Sequence, residues 1–105
     1  MGKQLFAIQV GSEARAELGN LKVFDARRVV DAMEASLLFD PVTESRNRKP
    51  LHEGLEVNFE YVPPLWELRV GDIRVFYDVN VSTHSVYIRA IRKKSQGKTT
   101  QEITK

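Results

Sequence analysis

The chain has 105 residues, 42% hydrophobic and 29% charged, with a formal net charge of +2, which places it in the globular class with one modest core. The absence of cysteine excludes a disulfide framework, a Cys-ligated metal site and a thiol nucleophile, and suits a reducing, cytoplasmic setting. No apolar run reaches the roughly 20 residues of a membrane span, so no membrane partner is expected. Met1–Leu5 carries one charge and no long apolar stretch, so no secretory leader is expected either. Met1-Gly2 opens a myristoylation pattern, but Phe6 stands where Ser or Thr belongs.

In chain order, Leu5-Phe6-Ala7-Ile8-Gln9-Val10 reads as a first strand. Ser12 has the character of a helix N-cap, with Glu13, Arg15 and Glu17 in the first turns of a short helix ending near Gly19-Asn20. From Phe24 to Phe39, Val29, Val30, Met33, Leu37 and Leu38 recur at amphipathic-helix spacing, and Asp40-Pro41 ends the run. Between Val42 and Pro64 the pattern is lost in a long basic loop, in which Val57–Tyr61 reads at most as a short extended piece. Loops of that length inside a compact domain are commonly functional. Three β-rich runs follow: Leu65–Val70, Ile73–Val79 and Ser85–Arg92. Gly71-Asp72 joins the first two as a tight hairpin, and Thr99 to Glu102 has capping-box spacing for a last helical turn. The expected order is β-α-α-loop-β-β-β, an α+β fold with an antiparallel sheet and two N-terminal helices packed on one face.

The charges are unevenly spread. Residues 24–44 carry Asp25, Asp31, Glu34, Asp40 and Glu44 against Arg27 and Arg28, whereas Arg46, Arg48, Lys49, Arg69, Arg74 and the stretch from Arg89 to Lys98 are basic. Such a distribution suits one positive surface facing a polyanion, although solvated loops give the same composition. Strand parity through the Gly71-Asp72 turn puts Trp66, Leu68, Val70, Ile73, Val75 and Tyr77 on one apolar face, extended by Val86, Ile88 and Ala90. The other face receives Glu67, Arg69, Arg74, Phe76, Asp78, Tyr87, Arg89, Ile91 and Lys93. Arg69 then lies across from Arg74, a repulsive pairing unless an anion, or a carboxylate such as Glu67 or Asp78, lies between them. A salt-bridged wet face is one reading. The other is a phosphate-binding floor of Arg69, Arg74 and Lys93, with Phe76 and Tyr87 as planar surfaces for base stacking.

The run Leu65-Trp66-Glu67-Leu68-Arg69-Val70-Gly71-Asp72-Ile73-Arg74-Val75-Phe76-Tyr77-Asp78-Val79 closely resembles the core hairpin of the RelE/ParE toxin superfamily. Arg46-Asn47-Arg48-Lys49-Pro50-Leu51 is similar to the family's segment before that hairpin. Val86–Ile91 and Gly97–Ile103 are similar to its last strand and C-terminal extension. The resemblance covers roughly residues 46–103 and favours the RelE-like branch. It implies one toxin domain over residues 1–105, with a microbial-ribonuclease-like fold. It also implies the toxin half of a type II toxin–antitoxin pair, neutralised by a cognate antitoxin protein. RelE-like members cleave mRNA on the ribosome without a metal and so inhibit translation; ParE-like members act on DNA gyrase. No cofactor is expected.

Metal-free RNA cleavage uses the ribose 2′-OH against the adjacent phosphate and needs a base, an acid and cations around the phosphate. By position, Arg74 matches the family's hairpin arginine, while Arg69 and Lys93 fall where other basic residues of that branch lie. The candidate catalytic set is Arg74, Arg69 and Glu67. The candidate RNA-binding set is Arg48, Lys49, Arg89, Lys93, Lys94, Phe76 and Tyr87. Two departures stand out: Glu67 replaces a lysine of a well-known member, and no tyrosine or histidine follows Lys94. Proton transfer then falls to Glu67, or to His52 or Glu53 of the long loop. His84 reads as a solvated turn residue and Trp66 as core. The glycines form no phosphate-binding loop. The rival readings are a gyrase inhibitor or cleavage-deficient relative, and an orphan nucleic-acid-binding domain.

Overall fold

The computed structural model describes residues 5–94 and 100–104. The element order is β1 (Ala7–Val10), α1 (Ser12–Gly19), α2 (Val23–Leu37), β2 (Arg48–Pro50), β3 (Trp66–Val70), β4 (Ile73–Asn80), β5 (Ser85–Lys93) and α3 (Thr100–Thr104). No described helix is long and apolar enough to cross a membrane. The expected α+β architecture is present. The N-cap of α1 is Gly11 rather than Ser12, without a side-chain cap, and Thr99 of the expected capping box lies outside the described residues.

The five strands form one sheet in the order β1-β5-β4-β3-β2. Two features differ from a pure antiparallel meander. β1 pairs with β5 in parallel, because α1 and α2 carry the chain back over the sheet before β5 forms. The long basic segment also contributes a strand, since Arg48–Pro50 pairs antiparallel with β3. Its polar composition and the closing Pro50 hide this short edge strand from periodicity, and edge strands are where proline is tolerated.

The β3–β4 hairpin has the expected register, with Val70 opposite Ile73, Arg69 opposite Arg74 and Trp66 opposite Tyr77. Gly71 takes a φ of +59°, the left-handed value required at the first position of a tight hairpin. A Cβ there would collide with the Arg28 guanidinium, which donates to the Val70 carbonyl (3.4 Å) from α2.

One sheet face is the main core. Val29, Met33 and Leu37 of α2 and Ala14 of α1 pack on Leu68, Ile73, Val75, Tyr77, Val86 and Ile88. Tyr77 is fully buried there, and its hydroxyl donates to the carbonyl of Pro41 (2.6 Å), itself buried. Burial raises the Tyr77 pKa above its ordinary value, with Arg48 acting the other way. The unfolded chain releases this proton near pH ~10, whereas the folded chain keeps it. The stabilisation is therefore complete below about pH 10 and declines as pH rises further, by up to about 1.4 kcal/mol per unit. Tyr77→Phe is expected to cost about 1–3 kcal/mol at neutral pH by orphaning the carbonyl, and to flatten the alkaline decline. Urea titrations at pH 7 and pH 11 test this; an unchanged alkaline slope in the variant contradicts it.

The second face is not bare. Leu65, Phe76 and Ala90 form a second cluster, roofed by Leu51, Val57, Phe59 and Tyr61 of the 51–62 segment and by Ile103 of α3. The long loop is thus a packed layer. Asp78 ties it down, its Oδ2 accepting from the Val62 N–H (3.0 Å) and the Arg89 Nε–H (2.6 Å).

Candidate nucleic-acid interface

A β-bulge decides which basic residues share the second face. In β4–β5 Phe76 pairs with Ala90 and Tyr77 with Ile88, so Arg89 is the extra residue. Beyond it the parity of β5 inverts. Ala90 therefore leaves the main core for the second face, and Ile91 enters the core opposite Val75. Lys93 moves to the helix side, where its Nζ lies 3.7 Å from both Asp25 and Asp72. Arg92 takes its place on the second face, directly across from Arg74. Continuous parity misplaces Ala90, Ile91 and Lys93 and misses Arg92. The signal was present: Ile88 and Ile91 are three apart, a spacing that a regular strand with one apolar face does not produce.

The result is a row of three arginines, Arg69–Arg74–Arg92, running across β3, β4 and β5. Beside it runs a second row, Lys49–Glu67–Phe76–Ala90. Each member sits differently. Arg69 and Lys49 are exposed, and among the described residues their side chains make no hydrogen bond or ion pair. Arg74 is 6% exposed; its Nη1 donates to the Gly71 and Ile73 carbonyls (2.7 and 3.1 Å). Its Nε stands 3.4 Å from Glu67 Oε1 but is buried without a hydrogen-bond partner. Burial lowers the Arg74 pKa, Glu67 acts against that, and Arg69 adds to the lowering. Arg92 donates through Nε to Glu17 Oε2 (2.7 Å) and through Nη1 to the Ile103 carbonyl (2.9 Å), and it lies over the Phe59 ring. Glu17 Oε1 also accepts the Ile91 N–H (3.0 Å), capping the edge of β5 where β1 has ended.

The other candidates separate. Arg48 points to the helix side and donates to the carbonyls of Ser36 (2.8 Å) and Thr43 (2.9 Å); a cation on the last turn of α2 is a favourable structural use. Arg89 is held by Asp78, whose hydrogen bonds raise its pKa, and stacks on Tyr87, 5.2 Å from the ring centre. Tyr87 keeps a partly exposed ring. Phe76 is fully buried, so it offers no face to a base; the expectation of stacking on it is corrected by the 51–62 layer above it. Lys94 is half-buried, its N–H donating to the Asp72 carbonyl (2.6 Å). His52 and Glu53 are exposed in the loop. His84, at a φ of 52°, packs its ring at a tilt against Phe6. Trp66 is core, as expected.

Glu67, 2% exposed, is the carboxylate of the site, and besides facing Arg74 it accepts the Thr100 hydroxyl (2.9 Å). Among the described residues no three metal-ligating side chains gather. The arrangement can hold phosphate oxygens through Arg69 and Lys49, and through Arg74 once its surroundings open.

No family model and no curated protein matches the chain. Solved structures do. A chain of the RelBE2 toxin–antitoxin complex from Mycobacterium tuberculosis superposes with a TM-score of 0.68 at 21% identity, covering 86% of this chain and 99% of its own. A chain of the archaeal RelE-RelB complex from Pyrococcus horikoshii OT3 gives 0.67 at 20% identity, covering 88% and 98%. The fold is therefore RelE-like, and it is shared over nearly the whole length of those chains.

Proposed function

We propose that this chain is the toxin component of a type II toxin–antitoxin pair, a metal-independent endoribonuclease that acts on mRNA at the ribosome and is neutralised by a cognate antitoxin protein. The observation that carries the reading is the arginine row across β3–β5, with Arg69 and Lys49 free to meet phosphate, on a fold shared with chains of two complexes described as toxin–antitoxin and RelE-RelB. Like charges set opposite each other weaken a sheet, and an incoming phosphodiester backbone relieves that repulsion. Arg74, in the middle of the row, is the cation for the charge that develops on the phosphoryl oxygens, with Arg69 beside it and Glu67 the nearest carboxylate for proton transfer.

Expression of the chain without its antitoxin is expected to arrest growth and fragment mRNA, and Arg69→Ala to relieve both without loss of fold. In vitro, Arg69→Ala and Lys49→Ala each weaken single-stranded RNA binding and lower the salt-dependence slope by about 0.7 per lost contact. Unchanged slopes in both variants would remove the phosphate-binding role of this face. A second reading, a cleavage-deficient relative or a ParE-like gyrase inhibitor, is favoured by the engagement of Glu67 with Arg74 and Thr100. Growth arrest with intact mRNA and an induced DNA-damage response selects it.

A further inference from the structure

We propose that the outer flank of α2 is a self-association surface, on which a second copy of this chain lays its own α2 antiparallel about a two-fold axis. Val23 and Phe24, at 81% and 72%, are the most exposed large apolar residues among those described. Val23, Ala26, Arg27, Val30 and Asp31 line one shallow groove. Its apolar members stand three and four apart, the spacing of a single helix stripe. Val29, Met33 and Leu37 of the same helix face the core, and Val30 is only partly buried against it. The apolar surface of α2 thus continues past what the sheet buries.

The charges beside the stripe decide what fits it. Arg27 and Asp31 stand four apart, at the spacing of an intrahelical ion pair, and both are exposed. Among the described residues neither of their side chains, nor that of Glu34, makes a hydrogen bond or ion pair. Cation before anion is the weaker order for such a pair. The distribution also runs against the helix dipole, with Lys22 at the N-cap and Glu34 in the last turn. Asp25, the acidic residue of the first turn, is already engaged by Arg28 and Lys93. The free charges are therefore basic in the first half of α2 and acidic in the second. A second α2 laid parallel meets like charge at both ends. Laid antiparallel, at the about 8–10 Å separation of packed helices, it sets each Arg27 against Asp31 and Glu34 of the other copy, with the apolar stripes between. Such a two-fold contact is self-complementary and closes at the dimer. Because α2 covers the core face of the sheet, the pairing leaves the arginine row on the opposite face uncovered, and it holds whether or not that row binds RNA.

Sedimentation equilibrium of the full chain, with circular dichroism to confirm folding, tests the surface. One pair of 15-residue helices is a small interface, so a reversible dimer in the micromolar range is expected. Arg27→Glu and Asp31→Arg each set like charges across the two-fold axis and are expected to raise the dissociation constant by about tenfold or more. Both positions are exposed, so neither change costs the fold. The two variants carry opposite charges beside the stripe. Mixed together, they are expected to associate within about threefold of the parent, and Arg27→Glu with Asp31→Arg in one chain to recover self-association. Val23→Ser keeps every charge and weakens all of these associations by removing apolar contact. A chain that stays monomeric at millimolar concentration overturns the proposal and leaves the stripe to a different protein. A dimer indifferent to Arg27→Glu, Asp31→Arg and Val23→Ser also overturns it, because it forms elsewhere. Weakening in both single variants with no recovery in their mixture rules out the antiparallel pairing.

Discussion

Arg74→Ala is expected to remove a large share of the protein's stability before it reports on chemistry. The side chain is 6% exposed, and its removal leaves Glu67, at 2% exposed, as a buried carboxylate without its cation. Breaking a buried pair on one side costs about 3–5 kcal/mol, against a total stability of about 5–15 kcal/mol for a domain of this kind. Replacing both partners, Glu67→Met with Arg74→Met, removes the orphaned charge and should recover most of the stability. RNA binding measured in that folded double variant then reports the joint loss of Arg74 and Glu67 without the loss of fold. Thermal melts of the three proteins decide the point; an Arg74→Ala curve within about 1 kcal/mol of the parent, the range of an exposed pair, shows the Glu67–Arg74 contact to be dispensable.

Phe76→Ala is expected to cost about 3–5 kcal/mol, as large core truncations of aromatics do. Phe76 is fully buried beneath Phe59, whose ring centre lies 5.7 Å away, and it anchors the layer that also holds Ile103. Its loss should therefore release residues 51–62 and α3 together, seen as faster hydrogen exchange in both segments. Phe76→Leu retains most of the volume, should cost less than about 1.5 kcal/mol, and should leave RNA affinity unchanged. A base-stacking platform behaves in the opposite way, losing affinity in Phe76→Leu with little change in stability. Tyr87, half-buried beside Arg89, is an aromatic of this face that keeps some outward surface.

Much of the fold was legible before any coordinates. The apolar spacing of Val29, Met33 and Leu37 marked α2, and Gly71-Asp72 set the register that brings Arg69 opposite Arg74. These are local signals: helix periodicity and a two-residue turn constrain only neighbouring residues, so the sequence states them directly. The site was legible in part. Arg69, Arg74 and Glu67 were identified together because they lie within one hairpin. Arg92, Glu17 and Thr100 were missed, since they reach the same face from β5, α1 and α3.

Tertiary structure alone decided whether that face is open. The sequence by itself determined that a basic pair must share one side of a hairpin, because side chains in a strand alternate with a period of two. The Ile88–Ile91 spacing marks β5 as irregular, but the sequence could not determine which residue bulges, that β1 joins β5 in parallel, or that the polar 51–62 segment folds back as a roof. Each of these depends on contacts between residues distant in the chain, where burial of Phe76, Ala90 and Ile103 outweighs weak local preference. The same burial turned an apparently exposed arginine pair into one free cation, Arg69, and one sealed beside a carboxylate, Arg74.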